Sequence, residues 1–183
     1  LEGEVMDFYH FIKGATEAFH DNAQRLRGLG PVHFETPLVG PWDSLTILYD
    51  ADLASARETI ASLNSPNASP PSAEDRPLAS TTAVETARGA QRIRRSHHEE
   101  YEAYALITTV SSPDHELFSE LDGLDGYAGS AMVDGDFDIL LLIGGATPDD
   151  LQRRLNALRR AIRGRARAQI CYQPPLQYGA AGT

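Results

Sequence analysis

Residues Phe137-Asp138-Ile139-Leu140-Leu141-Leu142-Ile143 repeat the pattern of Trp42-Asp43-Ser44-Leu45-Thr46-Ile47-Leu48, 95 positions earlier. Each stretch is an aromatic–acid pair followed by a strand-like apolar run. Working outward at the same offset, Tyr9 falls on Tyr104 and Ile12 on Ile107. Leu26, Gly28 and Leu29 fall on Leu121, Gly123 and Leu124, and Ala56, Ile60 and Leu63 on Leu151, Leu155 and Leu158. The register needs no gap, so the 183 residues read as two tandem units, each near the lower end of domain size.

The order of elements is the same in each unit. In the first, Asp7 to Ile12 is β-prone, and Ala15, Phe19, Ala23, Leu26 and Leu29 recur at helical spacing before Gly30. Val32 to Thr36 alternates like a strand, Gly40-Pro41-Trp42-Asp43 turns the chain, and Leu45 to Tyr49 is a second alternating run. Leu53 to Leu63 reads as a helix, and Leu78 to Thr86 as a last strand. In the second unit Tyr104 to Val110 is a strand, and Ser112-Pro113-Asp114 opens a helix with Pro just inside the cap. Tyr127 to Val133 and Ile139 to Ile143 flank the hairpin turn Asp134-Gly135-Asp136. Thr147-Pro148-Asp149-Asp150 caps the next helix, Gly164 ends it, and Ala166 to Tyr172 is the last strand.

Each unit is thus β-α-β-β-α-β. The expected fold is α+β: two tandem ferredoxin-like units of the dimeric α/β-barrel type, with antiparallel sheets and helices on one face. The units span residues 5–87 and 102–173, with a proline-rich loop at 64–77, a junction with a short helix at 88–101 and a tail at 174–183. A sheet with helices on one side must cover its other face. Ile139 to Ile143 is apolar at every position, which a solvated face would not allow. Sheet-on-sheet packing follows, between the repeats or with another chain, and a homo-oligomer through the sheet faces is expected.

A formal charge of -10 argues against nucleic acid as a general partner. The single cysteine, Cys171, forbids an intramolecular disulfide and fits a reducing compartment. No run is apolar and long enough to span a bilayer, so a soluble, cytoplasmic protein is expected.

Repeat two resembles the ligand-binding domain of Lrp/AsnC-type transcription regulators. The resemblance is carried by Tyr104-Ala105-Leu106-Ile107-Thr108-Thr109, by Leu121-Asp122-Gly123-Leu124-Asp125-Gly126, and by Val133-Asp134-Gly135-Asp136-Phe137-Asp138-Ile139-Leu140-Leu141. Repeat one is more weakly similar through Val39-Gly40-Pro41-Trp42-Asp43 and Ser80 to Thr86. The resemblance implies a non-catalytic module that binds amino acids or similar small effectors between subunits and couples binding to assembly. It points to Thr109, Gly135, Asp136 and Asp138 as ligand-binding residues, with Gly40, Trp42 and Asp43 as their first-repeat counterparts. Residues 5–63 are already used by repeat one, leaving no room for the winged helix-turn-helix of full regulators. DNA binding by this chain is therefore not expected.

Other residue clusters carry less. His97-His98-Glu99-Glu100 offers metal-ligand types, but adjacent residues point in different directions, and no metal site is expected. Arg88, Arg92, Arg94 and Arg95 face Glu99, Glu100 and Glu102 in sequence, as on a salt-bridged helix face. Arg153, Arg154, Arg159, Arg160, Arg163, Arg165 and Arg167 lie opposite a leucine stripe, as a solvated face does. No nucleophile elbow or phosphate loop is present, Cys171 reads as a small core residue, and neither catalytic residues nor a cofactor are expected. The second reading is an enzyme on the same scaffold, a dimeric α/β-barrel of haem-binding or monooxygenase-like kind.

Overall fold

The computed structural model describes residues 5–14, 21, 23, 24, 26, 32–64, 78–94, 101–111 and 114–174. The proline-rich stretch at 65–77, most of the expected helix between Ala15 and Leu29, His97 to Glu100 and the tail from 175 lie outside them. Eight strands and three helices are described: β1 Met6–Lys13, β2 Val32–Pro37, β3 Ser44–Ala51, α1 Leu53–Asn64, β4 Ala79–Arg88, β5 Tyr101–Thr109, α2 His115–Leu121, β6 Tyr127–Asp134, β7 Ile139–Gly145, α3 Pro148–Ala161 and β8 Ala166–Gln173. The strands form one antiparallel sheet in the order β2-β3-β1-β4-β6-β7-β5-β8.

The sequence echo is visible in where the elements begin. Met6 and Tyr101, Val32 and Tyr127, Ser44 and Ile139, and Leu53 and Pro148 each open matching elements 95 residues apart. Only the last pair departs, Ala79 and Ala166 being 87 apart. The chain between α1 and β4 runs over 65–78, against 162–165 between α3 and β8.

Alternation along the strands sorts side chains onto two faces. Tyr9, Phe11, Leu45 and Ile47 of the first half meet Tyr104, Leu106, Leu140 and Leu142 of the second in one core. The apolar sheet faces thus cover one another within the chain. On the outer faces Phe8, Leu48 and Ala51 pack with Ala56 of α1, while Ala105, Ile107, Leu141 and Ile143 pack beneath α2 and α3. This is why Ile139 to Ile143 shows no polar alternation: both faces of β7 are covered.

Two seams join the halves. One is the β4–β6 ladder, from Val84 opposite Asp134 to Arg88 opposite Ala131. The other joins the end strands: just past β2, Val39 exchanges two backbone hydrogen bonds of 2.8 Å with Tyr172 of β8. This single bridge brings the two ends of the sheet together.

The junction differs from expectation. Residues 89–94 are not helical; they run on from β4 along β6, with Gly89 N–H donating to Ser130 O at 2.9 Å and Ser130 N–H to Gln91 O at 3.1 Å. The reason is electrostatic. Asp7 of β1 is fully buried, and the Arg92 guanidinium reaches it with two donors while also pairing with Asp50. Asp50 takes a left-handed φ of 48° and donates its N–H to Asp7 at 3.1 Å. Arg92 also stacks over the Tyr49 ring at 4.3 Å, and Tyr49 donates to Ile93 O at 2.7 Å, seating Ile93 in the core. Burial is the first cause pushing the Tyr49 phenol up to about 12. The arginines at 88 and 92 thus pair with Asp7, Glu85 and Asp50, and Glu102 is buried in β5. The second unit's first helix also differs at its start, being capped by Asp114, whose carboxylate accepts from Leu117 N–H at 2.8 Å.

Two stability predictions follow from these ties. Val39→Pro removes one bond of the clasp and should cost about 1–3 kcal/mol, read as a lowered Tm. Val39→Ala should change little, because the Val39 side chain is 60% exposed. Arg92→Met leaves the buried Asp7 carboxylate with the Asp50 N–H and the longer Arg88 contact at 3.5 Å, and should cost about 3 kcal/mol in urea unfolding. Equal Tm values for the two Val39 variants would contradict the clasp.

Candidate functional site

On the helix-facing side of the first half, three polar residues stand in one row across the sheet. His10 of β1 is opposite Thr46 of β3 and opposite Thr82 of β4. Glu35 of β2 takes the next register position beside Thr46. Directly opposed residues in antiparallel strands approach closely enough for their side chains to interact. His10 is 1% exposed and Thr46 0%, while Thr82 is half-buried at the end of the row.

His10 is held from two sides. Its Nε2 lies 3.1 Å from Asn64 Oδ1 at the end of α1, and its Nδ1 lies 2.8 Å from Thr82 Oγ1. An amide oxygen can only accept, so the assigned geometry puts the imidazole proton on Nε2 and leaves Nδ1 to accept from the Thr82 hydroxyl. Burial disfavours the charged imidazolium and lowers the His10 pKa below its ordinary value, with hydrogen bonds to Asn64 and to the Thr81 backbone opposing. Burial thus favours a neutral imidazole shielded from water. Thr46 Oγ1 is buried with no hydrogen-bond partner among the described residues. A hydroxyl left in that condition costs about 1–3 kcal/mol, so native structures seldom keep one without a use.

The second half has no such row. The positions matching His10, Thr46 and Thr82 are Ala105, Leu141 and Ile170, which are opposed in the same way. The layer above the sheet differs as well. The 95-residue offset pairs Phe118 with Ala23 and Leu151 with Ala56, all four of them buried. Phe8, which stands where the second half has Ala103, takes up much of the volume that Ala23 and Ala56 give up. What distinguishes the first half is therefore the polar row itself.

The residues singled out from the sequence are distributed otherwise. Asp138 accepts from Thr109 twice, from its N–H at 2.7 Å and its hydroxyl at 2.9 Å, tying the start of β7 to the end of β5. Asp136 accepts from Thr81 Oγ1 at 2.6 Å across the β4–β6 seam. Gly135 lies close against β4, where an added Cβ would stand 3.1 Å from Thr82 O. Gly40, at φ 144°, lies against β8, and an added Cβ would stand 2.7 Å from Ile170 O. Trp42 packs at 6.1 Å on Phe11, and Asp43 accepts from Gly14 N–H at 2.5 Å. The structure brings Thr109 and Asp138 together and places Gly135 and Asp136 beside β4. Gly40, Trp42 and Asp43 stand apart, near the clasp to β8. His10, Thr46, Thr82 and Asn64 were not singled out from the sequence. The available signal was a failure of the echo: His10 stands against Ala105 and Thr46 against Leu141 in otherwise matched apolar runs.

Among the described residues no group of three or more His, Cys, Asp or Glu side chains could hold a metal ion. Cys171 is in the inner core, and burial pushes its thiol up. Arg153 and Arg154 pair with Asp125 and Asp150, and Arg165 with Asp114 and Glu120. No described helix is long and apolar enough to cross a membrane.

No family model matches the sequence, and a search of curated proteins finds no match. Solved structures do match. An anthrone oxidase-like protein aligns over 94% of this chain and 92% of its own, with a TM-score of 0.55 and 7% identity. A haem-binding protein from Thermus thermophilus aligns over 94% of this chain and 92% of its own, with a TM-score of 0.54 and 14% identity. These neighbours overturn the similarity to Lrp/AsnC regulators, and with it the reading of transcription regulation. That similarity rested on hydrophobic spacing and on the hairpin Gly135-Asp136 and Asp138, which here serve strand pairing and packing. The chain shares the fold of these structures: α+β, an eight-stranded antiparallel sheet with helices outside.

Proposed function

We propose that this chain is a monooxygenase-like enzyme on the dimeric α/β-barrel scaffold, oxidising a small hydroxylated or enolisable aromatic molecule between sheet and helices of the first half. The carrying observation is His10: a buried, neutral imidazole in a polar row that the second half lacks. Each half reads as a ferredoxin-like unit, a view supported by the shared orders β2-β3-β1-β4 and β6-β7-β5-β8. The fold likeness to an anthrone oxidase-like protein agrees with oxidative chemistry on an aromatic substrate.

The work assigned to the chain is proton removal. An acidic C–H or O–H of the substrate gives its proton to Thr82 Oγ1 while the Thr82 proton moves to His10 Nδ1. The electron pair of the broken bond stays on the substrate as an enolate or phenolate, whose carbon adds dioxygen from solution; the peroxide so formed takes the proton back from the His10 imidazolium and loses water, leaving a new C=O. Asn64 accepts from His10 Nε2 and steadies the imidazolium as it forms.

A haem does not fit the described residues in this arrangement. Both His10 nitrogens are already hydrogen-bonded, so neither offers a free lone pair to iron. His115 is exposed at the start of α2, and Cys171 is enclosed in the inner core. No step is therefore assigned to that group.

Oxygen-electrode assays with anthrone as the test substrate check the reading. Dioxygen uptake should depend on the protein and fall at least about a hundredfold in His10→Gln. Uptake undiminished in that variant, or a haem band taken up stoichiometrically on titration, would sink it.

The same residue predicts a pH dependence of stability. The unfolded chain binds a proton at His10 near pH about 6.5, whereas the folded chain resists it. Stability contributed by neutral His10 is complete above that pH and is lost as pH falls toward the lowered folded value. Tm should therefore drop more between pH about 7.5 and about 5 in the native chain than in His10→Gln.

A further inference from the structure

We propose that Asp136, on the hairpin of the second half, is a positioning residue for His10: through Thr81 it holds Thr82 within bonding distance of the imidazole. The role rests on the site proposed above and brings the other half of the chain into it. Thr82 precedes the β4–β6 ladder, whose first pair is Val84 opposite Asp134. Among the described residues its stretch of β4 is therefore laddered to β1 alone. Two hairpin residues stand on the other side. Asp136 Oδ2 accepts from Thr81 Oγ1 at 2.6 Å, and an added Cβ on Gly135 would stand 3.1 Å from Thr82 O. Both threonines so held touch the imidazole, Thr82 through its hydroxyl at 2.8 Å and Thr81 through its backbone.

The internal echo separates what the fold requires from what the site requires. Gly40 stands 95 positions before Gly135, and Ile170 matches Thr82. An added Cβ on Gly40 would stand 2.7 Å from Ile170 O, so the glycine approach recurs in both halves and belongs to the fold. The carboxylate bond does not recur. Pro41 holds the place of Asp136, and Gln169 that of Thr81. The bond is thus present beside the strand that carries His10 and missing beside the one that carries Ala105. A proton relay requires its groups held to within about 0.5 Å, and a carboxylate fixes a hydroxyl more firmly than a neutral acceptor does.

The test records the ring-nitrogen resonances of the full chain by NMR at pH about 8, where the imidazole is neutral, His10 being the signal lost in His10→Gln. Thr82→Val removes the donor and marks where Nδ1 resonates without it. Asp136→Ala and Thr81→Val should each move Nδ1 at least halfway from its native position to that mark. The double variant should move it no further than the larger single effect, because both changes break one bond. Val84→Ala weakens the same seam by lost packing; it should lower Tm and leave Nδ1 in place. A purely structural contact would lower Tm in Asp136→Ala without moving Nδ1, and that result overturns the inference. So would a native Nδ1 already at the Thr82→Val position, additive shifts in the double variant, or an equal shift in Val84→Ala. Absence of dioxygen uptake would remove the oxidative chemistry alone, since the resonances are read without substrate.

Discussion

Everything in this protein depends on the mutual burial of two sheet faces carried by one chain. Tyr9, Phe11, Leu45 and Ile47 cannot be exposed without cost, and Tyr104, Leu106, Leu140 and Leu142 are equally apolar. Each half supplies the other's missing cover, which is the usual difficulty of a small α+β unit. Helix packing, junction path and the β8 clasp are arranged around that pairing. Because the inner layer holds the halves together, the outer layer between sheet and helices can tolerate polar residues in one half.

Much of the architecture was legible in the sequence because the causes are local. The apolar run at Ile139 to Ile143, the Thr147 cap with Pro148 behind it, and Gly164 at φ 78° all sit where pattern reading puts them. The junction was not legible, for a nonlocal reason. Arg88 and Arg92 look like helix-surface residues beside glutamates, but their partners Asp7 and Asp50 are far away in sequence. No window around residue 90 contains that information.

The candidate site was legible only in outline. A sequence match rewards agreement and so picks out Gly135, Asp136 and Asp138, where the second repeat is best punctuated. In the structure Asp136 and Asp138 bond to Thr81 and Thr109, and Gly135 lies against β4. The polar row breaks the match instead, and it emerges only once register aligns His10 with Thr46 and Thr82. Asn64, from the end of α1, could not have been added to them from sequence spacing alone.

The 95-residue echo has a consequence for how such a site can arise. Identical subunits joined face to face must accept every substitution twice, once on each side of the symmetry axis. A polar residue that disturbs packing is then doubly harmful. In a single chain the two halves answer to separate codons. One can keep Ala105 and Leu141 apolar while the other carries His10 and Thr46 at the matching positions. A single chain with two similar halves can thus break its own symmetry one residue at a time.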